Sequence, residues 1–434
     1  MNIRIANSLI LILTALNVLH GQDFPKKPIN QIIIVGNDHT DSEVIERELL
    51  FSSGEVVSDS ILTESKNRIL NLWLFNRVEF YPLPDGKNVN LLISVTERLY
   101  IFPYPEFRLE DRDWKKLTYG FGIAHENFRG RNEKVYLALL FGNRPGYQLS
   151  YFNPWVNRKL HLTTGFYLKK YSKESRETYL KDNTIQSFDE NHFYMSLAFG
   201  RYWTRYFYNR IYLTRDQIRV GSQHKQVMQT GTTTDVDYGI FFQTVFDNRD
   251  LYAYPSAGWY TKFEIAKQGL FVPEINYWQY DIDIRKYISW KKLIFAGRIS
   301  TLQSFGDLPI YDKVYFGYNE RIRGHFSEIH SGKHIFVSSF EMRFPIIKPY
   351  YFDFLDSIFS GSATKDLRFG LNAGIFADTG IIWSRKNEFG TKNFISGFGA
   401  GIHILMPYIE VLRIDYAFDE DLQPETILEI QVAF

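Results

Sequence analysis

The chain has 434 residues, with 50 Lys and Arg against 49 Asp and Glu and a formal net charge of +1. That balance leaves no basic footprint for nucleic acid and no pull on an acidic substrate, so neither is an expected partner. Cysteine is absent, which excludes disulfides, thiolate metal ligands and thiol nucleophiles, and a mean hydropathy of −0.25 is too polar for a bundle of membrane helices.

Residues 1–21 read as a secretory signal. Arg4 supplies the short basic start, LILILTALNVL the apolar run, and Gly21 a small residue at the cleavage site. The alternative is an N-terminal membrane anchor, for which the run is short of the ~20 residues a helical span needs. No later window is apolar enough to cross as a helix, so any further crossing has to be a closed barrel.

Residues 28–98 form a small α/β unit. QIIIVG is a short strand ending in the turn signal Gly36-Asn37. Thr40 caps a helix, with Glu43 completing a T-x-x-E capping box, and Val44, Ile45 and Leu49 line one face. A second helix runs from about Ser58 to Trp73, with Ile61, Leu62, Ile69 and Leu72 on its buried stripe. RVEFYPL and NVNLLISVTE then alternate with period two around the hairpin turn Pro84-Asp85-Gly86. The run IIIVGN-x-x-T, RELLFSSGE, LWLFNRVEF and VNLLISVTE resembles a POTRA (polypeptide-transport-associated) domain. The resemblance implies a module that binds extended polypeptide by adding a strand to a sheet edge.

The remainder, 104–434, consists of segments of about ten residues that alternate in polarity between polar or glycine-rich turns, the signature of an outer-membrane barrel. In WQYDIDIRKY, Trp278, Tyr280, Ile282 and Ile284 face lipid, and Gln279, Asp281, Asp283 and Arg285 face the lumen. In HIFVSSFEMRF, Phe336, Phe340, Met342 and Phe344 oppose Glu341 and Arg343; in VLRIDYAF, Leu412, Ile414, Tyr416 and Phe418 oppose Arg413 and Asp415. Alternation alone also fits a soluble sandwich with the faces reversed. The leader, the aromatic load and the charged lumen-like rows point to the membrane form. The expected architecture is therefore mostly β: about sixteen antiparallel strands after one small α/β POTRA domain. Residues 173–191 read as a long, unpatterned outer loop, and Tyr119–His125 as the first barrel strand, weakened by Gly120 and Gly122. The chain ends on ILEIQVAF, with Leu428, Ile430, Val432 and Phe434 on one face.

Several motifs follow in order: FDNRD with YPSAGWY (Phe246–Tyr260), IRGHF (Ile322–Phe326), FEMRFPI (Phe340–Ile346), FADTGIIW (Phe376–Trp383), and GFGAGIHILMP with IEVLRIDYAF. Together they resemble the bacterial surface antigen superfamily, which includes BamA- and TamA-like assembly factors and the two-partner secretion translocators. The resemblance implies that the loop carrying IRGHF folds back into the barrel. Arg323 is then the loop arginine, Gly324 and Phe326 shape its tip, Asp378 is the favoured partner and Glu341 the second. An arginine taken out of water needs such a carboxylate, which its planar fork can grip through two oxygens. His325 departs from the family, which has an aromatic ring there.

By the same resemblance the function is insertion or translocation of polypeptides at the outer membrane. The partners are unfolded or secreted polypeptides, outer-membrane lipid and accessory envelope proteins, with no cofactor. The seam between the first and last strands, at Gly120, Gly122, Ile430, Val432 and Phe434, would admit a client strand. The alternatives are a translocator for one dedicated secreted protein and a passive porin or structural surface antigen. No H-E-x-x-H, G-x-S-x-G or P-loop is present, so no enzymatic function is expected.

Overall fold

The computed structural model describes residues 25–109, 114–175, 177, 179–181, 184–186, 188–317, 320–326, 328–353, 364–409, 411–430 and 434. The expected secretory signal and Val432 lie outside them.

The N-terminal unit contains β1 (Ile29–Val35), α1 (Ser42–Glu46), α2 (Asp59–Leu70), β2 (Phe75–Asp85) and β3 (Asn88–Glu97), with sheet order β1-β3-β2. β1 runs parallel to β3, and β2 antiparallel to it. Alternation in NVNLLISVTE sends Val89, Leu91, Ile93 and Val95 into a core shared with Ile45, Leu62, Ile69 and Leu74. Ser58 caps α2 through Ile61 N. The expected capping box at Thr40 does not form, since Asp41 is the N-cap of α1 and makes no side-chain cap bond. Thr40 instead gives its N–H (2.8 Å) and its hydroxyl (2.6 Å) to Glu97. A buried carboxylate needs donors more than the end of a five-residue helix needs a cap.

The rest is strand: β4 (Ile101–Leu109), β5 (Leu117–Phe128), β6 (Glu133–Gly142), β7 (Gly146–Asn157), β8 (Leu162–Glu174), β9 (Tyr179–Lys181), β10 (Thr184–Gln186), β11 (Asp189–Tyr202), β12 (Phe207–Arg219), β13 (Thr234–Asp247), β14 (Gly258–Gln268) and β15 (Asn276–Trp290). After these come β16 (Leu293–Asp307), β17 (Val314–Phe316), β18 (His330–Gly332), β19 (His334–Phe352), β20 (Leu367–Trp383), β21 (Ile395–Leu405), β22 (Val411–Phe418) and β23 (Pro424–Ile430). Sixteen of them form one antiparallel sheet from β4 to β23, each paired to its neighbour in order; β9–β10 and β17–β18 are small hairpins in far-end loops.

The faces alternate as the sequence implies. On β19, Ile335, Val337, Ser339, Glu341 and Arg343 are buried inside, while Phe340 and Phe344 are exposed outside. On β22, Arg413, Asp415 and Ala417 are buried, and Ile414 and Tyr416 are exposed. The outer face is apolar and aromatic and the inner one charged, the arrangement of a barrel in lipid.

Three expectations at the sheet ends are corrected. The sheet begins with β4 at Ile101, so Tyr119–His125 belongs to the second strand, and Gly120 and Gly122 are paired on both sides, to Glu106 and Tyr104 of β4 and to Leu140 and Ala138 of β6. β4 reads poorly as a strand because IFPYPEFRL carries two prolines, which a sheet tolerates at an edge. The Phe434 ring does not continue the outer row. It is buried with Tyr287 and Ala296, near the Arg343 guanidinium, so only Ile430 of the expected seam residues is described on an edge strand. Residues 173–191 are not wholly unpatterned, since β9 and β10 pair there.

Candidate functional site

The segment between β16 and β19 leaves the far end of the barrel and folds inward along the wall. Its first part packs Tyr311 against Phe188, Ile218, Val220 and Met228. β17 and Ile322 then lie against Ile335 and Val337 of β19. This brings the I-R-G-H-F tip to the inner faces of β19–β23.

Arg323 is 3% exposed. Its Nε donates to Asp378 Oδ2 (2.6 Å), its Nη2 to Asp378 Oδ1 (2.9 Å) and its Nη1 to Glu341 Oε2 (2.7 Å). The guanidinium carbon stands 3.6 Å from the Phe376 ring centroid, so the plane is held on its edge by carboxylates and on its face by an aromatic. Gly324 has φ 104, and a Cβ there would meet Phe418 O at 2.6 Å; on the facing strand a Cβ on Gly397 would meet Arg323 O at 1.8 Å. The loop therefore lies against bare backbone, which requires glycine at both positions. Phe326 packs on Phe376, Ala417 and Ile427, and its N–H donates to Glu425 (2.8 Å). Arg321, half exposed, reaches Glu429 on β23 (2.6 Å).

The charged network is wider than the tip. Glu341 also binds Arg343; Asp415 binds Arg413, which reaches Glu429. Arg343 is fully buried beside Tyr254, whose hydroxyl meets His403 Nδ1 at 2.9 Å. Tyr254 belongs to YPSAGWY, so that motif supplies the floor of the network. Before the tip, Glu320 meets Arg298 (2.6 Å), which shares Asp283 with Arg285. Sequence reasoning missed Glu320, Asp415, Arg413, Arg343 and Tyr254 as loop supports. The inward charges of Arg343, Arg413 and Asp415 were the available signal.

His325 is held by Glu420 at Nε2 (2.7 Å), from the β22–β23 turn, and stands 3.0 Å from Glu328, which also meets His330. Burial works against its charge, but the two carboxylates outweigh burial and raise its pKa above the ordinary value. A raised folded pKa stabilises docking fully below the unfolded value, about 6.5. That contribution is lost as pH rises through the folded value. Protease protection of residues 320–326 should therefore fall as pH rises above the ordinary histidine value of about 6.5. His325→Phe should flatten the profile; a profile identical to the parent's would remove His325 from the account.

At the near end the N-terminal unit sits under the barrel turns. Thr40 Oγ1 accepts from Asn127 (2.9 Å), Asn71 bonds Asp250 O (3.0 Å) and Tyr252 N (2.9 Å), and Asp366 takes Arg77 (2.9 Å) and Thr96 (2.6 Å). Between the unit and the turns lies a cavity of about 1110 Å³ lined by Arg47, Arg68, Trp155, Tyr202 and Tyr252 among others. Among the described residues no backbone pairing joins β4 to β23. β4 does meet the turn between β21 and β22, where the Phe102 and Tyr408 ring centroids are 5.7 Å apart.

No helix among the described residues is long and apolar enough to cross a membrane, and none of their acidic and histidine side chains group to hold a metal ion.

Comparison with known proteins adds the following. Residues 127–431 match the family described as Omp85 superfamily domain, and residues 28–98 match the POTRA family described as surface antigen variable number repeat. An 81-residue stretch is 40% identical to the outer membrane protein assembly factor BamA of Neorickettsia risticii, covering 18% of this chain and 11% of that protein. In fold, the chain is similar to BamA from Haemophilus ducreyi lacking POTRA domains 1–3, with TM-score 0.51 and 16% identity over 94% of this chain and 84% of that one. It is also similar to CdiB from Escherichia coli, with TM-score 0.55 and 9% identity over 93% and 75%.

Proposed function

Because the chain belongs to the Omp85 superfamily, an outer-membrane barrel with a periplasmic POTRA domain, we propose that it inserts polypeptides into, or translocates them across, the outer membrane, as a BamA- or TamA-like assembly factor. The observation that carries this is the sheet's two ends: among the described residues β4 and β23 share no ladder, and unpaired backbone in hydrocarbon is costly enough to be filled by an added strand. The POTRA domain, under the periplasmic mouth, would collect an extended chain and pass it to that seam without a nucleotide or cofactor. In this reading the Arg323 network pins the loop to the strands next to the seam, so that the wall keeps its shape while the seam opens. A translocator for one dedicated secreted protein is the second reading. The passive porin is disfavoured by the loop folded into the lumen and anchored there through Arg323.

The test is reconstitution. Liposomes holding the full chain should convert a urea-unfolded eight-stranded outer-membrane barrel to its protease-resistant form faster than empty liposomes do. Equal rates, with ion conductance as the sole activity, would overturn the proposal.

A further inference from the structure

The periplasmic junction concentrates positive charge that the chain as a whole does not have. The formal net charge is +1, yet eight Lys and Arg side chains and three carboxylates line the cavity between the POTRA domain and the barrel turns. All three carboxylates are committed: Glu43 to Arg158, Glu133 to Arg129 and Glu48 to Arg68. Arg47, which follows α1, is left to share Glu48 at 3.4 Å, although its side chain is only 16% exposed. Its Nη2 has no hydrogen-bond partner among the described residues, and its guanidinium carbon stands 5.1 Å from the Trp155 ring centroid. Burial lowers its pKa from the ordinary value, and Glu48 does not make up the difference. A guanidinium taken out of water without its full set of acceptors is costly, and an anion in the cavity would offset that cost.

The cavity also borders the lipid. Leu197 and Phe199 lie on the outward row of β11, and Trp203 extends that row past the periplasmic end of the strand; all three are exposed. Trp203 lines the cavity as well, as does the exposed Val156 of the β7–β8 turn. A tryptophan at the end of an apolar row marks the membrane–water interface. We propose that the cavity binds the phosphate of an anionic phospholipid headgroup from the periplasmic leaflet, with Arg47 as its buried donor, Lys159 at its rim and Trp155 as its wall. The acyl chains would then lie along the outer row of β11. Arginine grips a phosphate through two N–H groups of its fork, which suits the buried position. The carboxylates, each already paired, leave nothing for the ammonium of a zwitterionic headgroup, so the preference is for net negative charge. A headgroup so held bridges the POTRA domain and the β7–β8 turn, whether the chain inserts polypeptides or translocates them.

The experiment titrates the full chain in detergent with dioleoylphosphatidylglycerol, dioleoylphosphatidylcholine or inorganic phosphate and reads bound ligand by native mass spectrometry. Phosphatidylglycerol should be retained at concentrations where phosphatidylcholine is not; equal retention would overturn the proposal. Arg47→Gln removes the buried donor and should weaken phosphatidylglycerol binding by about tenfold or more, with Arg47→Lys recovering part of the loss. Lys159→Gln, on an exposed turn where folding is not at stake, should weaken it severalfold, and it is the deciding variant if Arg47→Gln loses its heat-shifted gel mobility. Unchanged binding in folded Arg47→Gln, or in Lys159→Gln, would overturn the proposal. Lys291→Gln is the control. It removes the same charge from the β15–β16 turn at the same end of the barrel, where Lys291 lies over Trp290 outside the cavity, and it should leave retention unchanged. A loss as large as that of Arg47→Gln would reduce the effect to a general attraction of lipid to basic turns and would also overturn the site. Inorganic phosphate, without acyl chains, should compete only weakly. Phosphate bound as tightly as the lipid would make the ligand a soluble phosphate and remove the lipid from the account.

Discussion

Arg323→Ala should destabilise the barrel by about 3–5 kcal/mol, the range expected when one partner of a buried ion cluster is removed. The cost arises mainly from the carboxylates left charged and unpaired inside the barrel. Asp378 and Glu341 are 5% and 0% exposed, and without the guanidinium Asp378 loses both side-chain donors that grip it. Arg323→Lys keeps the charge but not the fork, so it should recover only part of the loss. Arg323→Ala with Asp378→Asn should also recover part, because one stranded charge is neutralised. Arg321→Ala is the control. Its side chain is 40% exposed and paired at the rim with Glu429, so it should cost no more than about 1 kcal/mol. Thermal unfolding in detergent reads all four. Equal losses for Arg321→Ala and Arg323→Ala would mean that the inward loop is not anchored by this cluster.

Gly397→Ala should undock the loop with every charge still in place, at a cost of about 1–3 kcal/mol. The added Cβ would stand 1.8 Å from Arg323 O and 3.0 Å from Phe418 O. Both are backbone atoms, which cannot swing aside as a flexible side chain would. The expected readout is faster proteolysis within residues 308–333, together with weakened Arg323 pairing, seen as a smaller penalty for a second Arg323→Ala change than in the parent. Gly297→Ala, on β16, is the control, since its Cβ would meet nothing within 4 Å. Protease resistance unchanged by Gly397→Ala would contradict the close approach.

The barrel was legible because period-two alternation is a local property. Phe340 and Glu341, or Ile414 and Asp415, declare opposite faces within two residues. The lumen-facing carboxylates Asp378 and Glu341 could be named for the same reason, once the motif order marked Arg323 as inward. The first strand was not legible, because Pro103 and Pro105 carry an edge signal that is also a loop signal. Thr40 illustrates a different limit. T-x-x-E is a cap only when nothing better needs the hydroxyl, and Glu97, 57 residues away, needs it more. The supports at Glu320, Asp415 and Tyr254 meet across strands far apart in sequence, and alternation assigns a face without assigning a partner.

If the chain inserts polypeptides as proposed, the β4–β23 seam has to part. Single cysteines placed in Ile101–Leu109 and in Pro424–Ile430, scanned for pairs that form a disulfide, provide a reversible lock in a chain that has no cysteine of its own. The oxidised pair should keep its heat-shifted gel mobility yet lose conversion of the unfolded barrel in liposomes, and reduction should restore it. Full activity with the seam locked would contradict it.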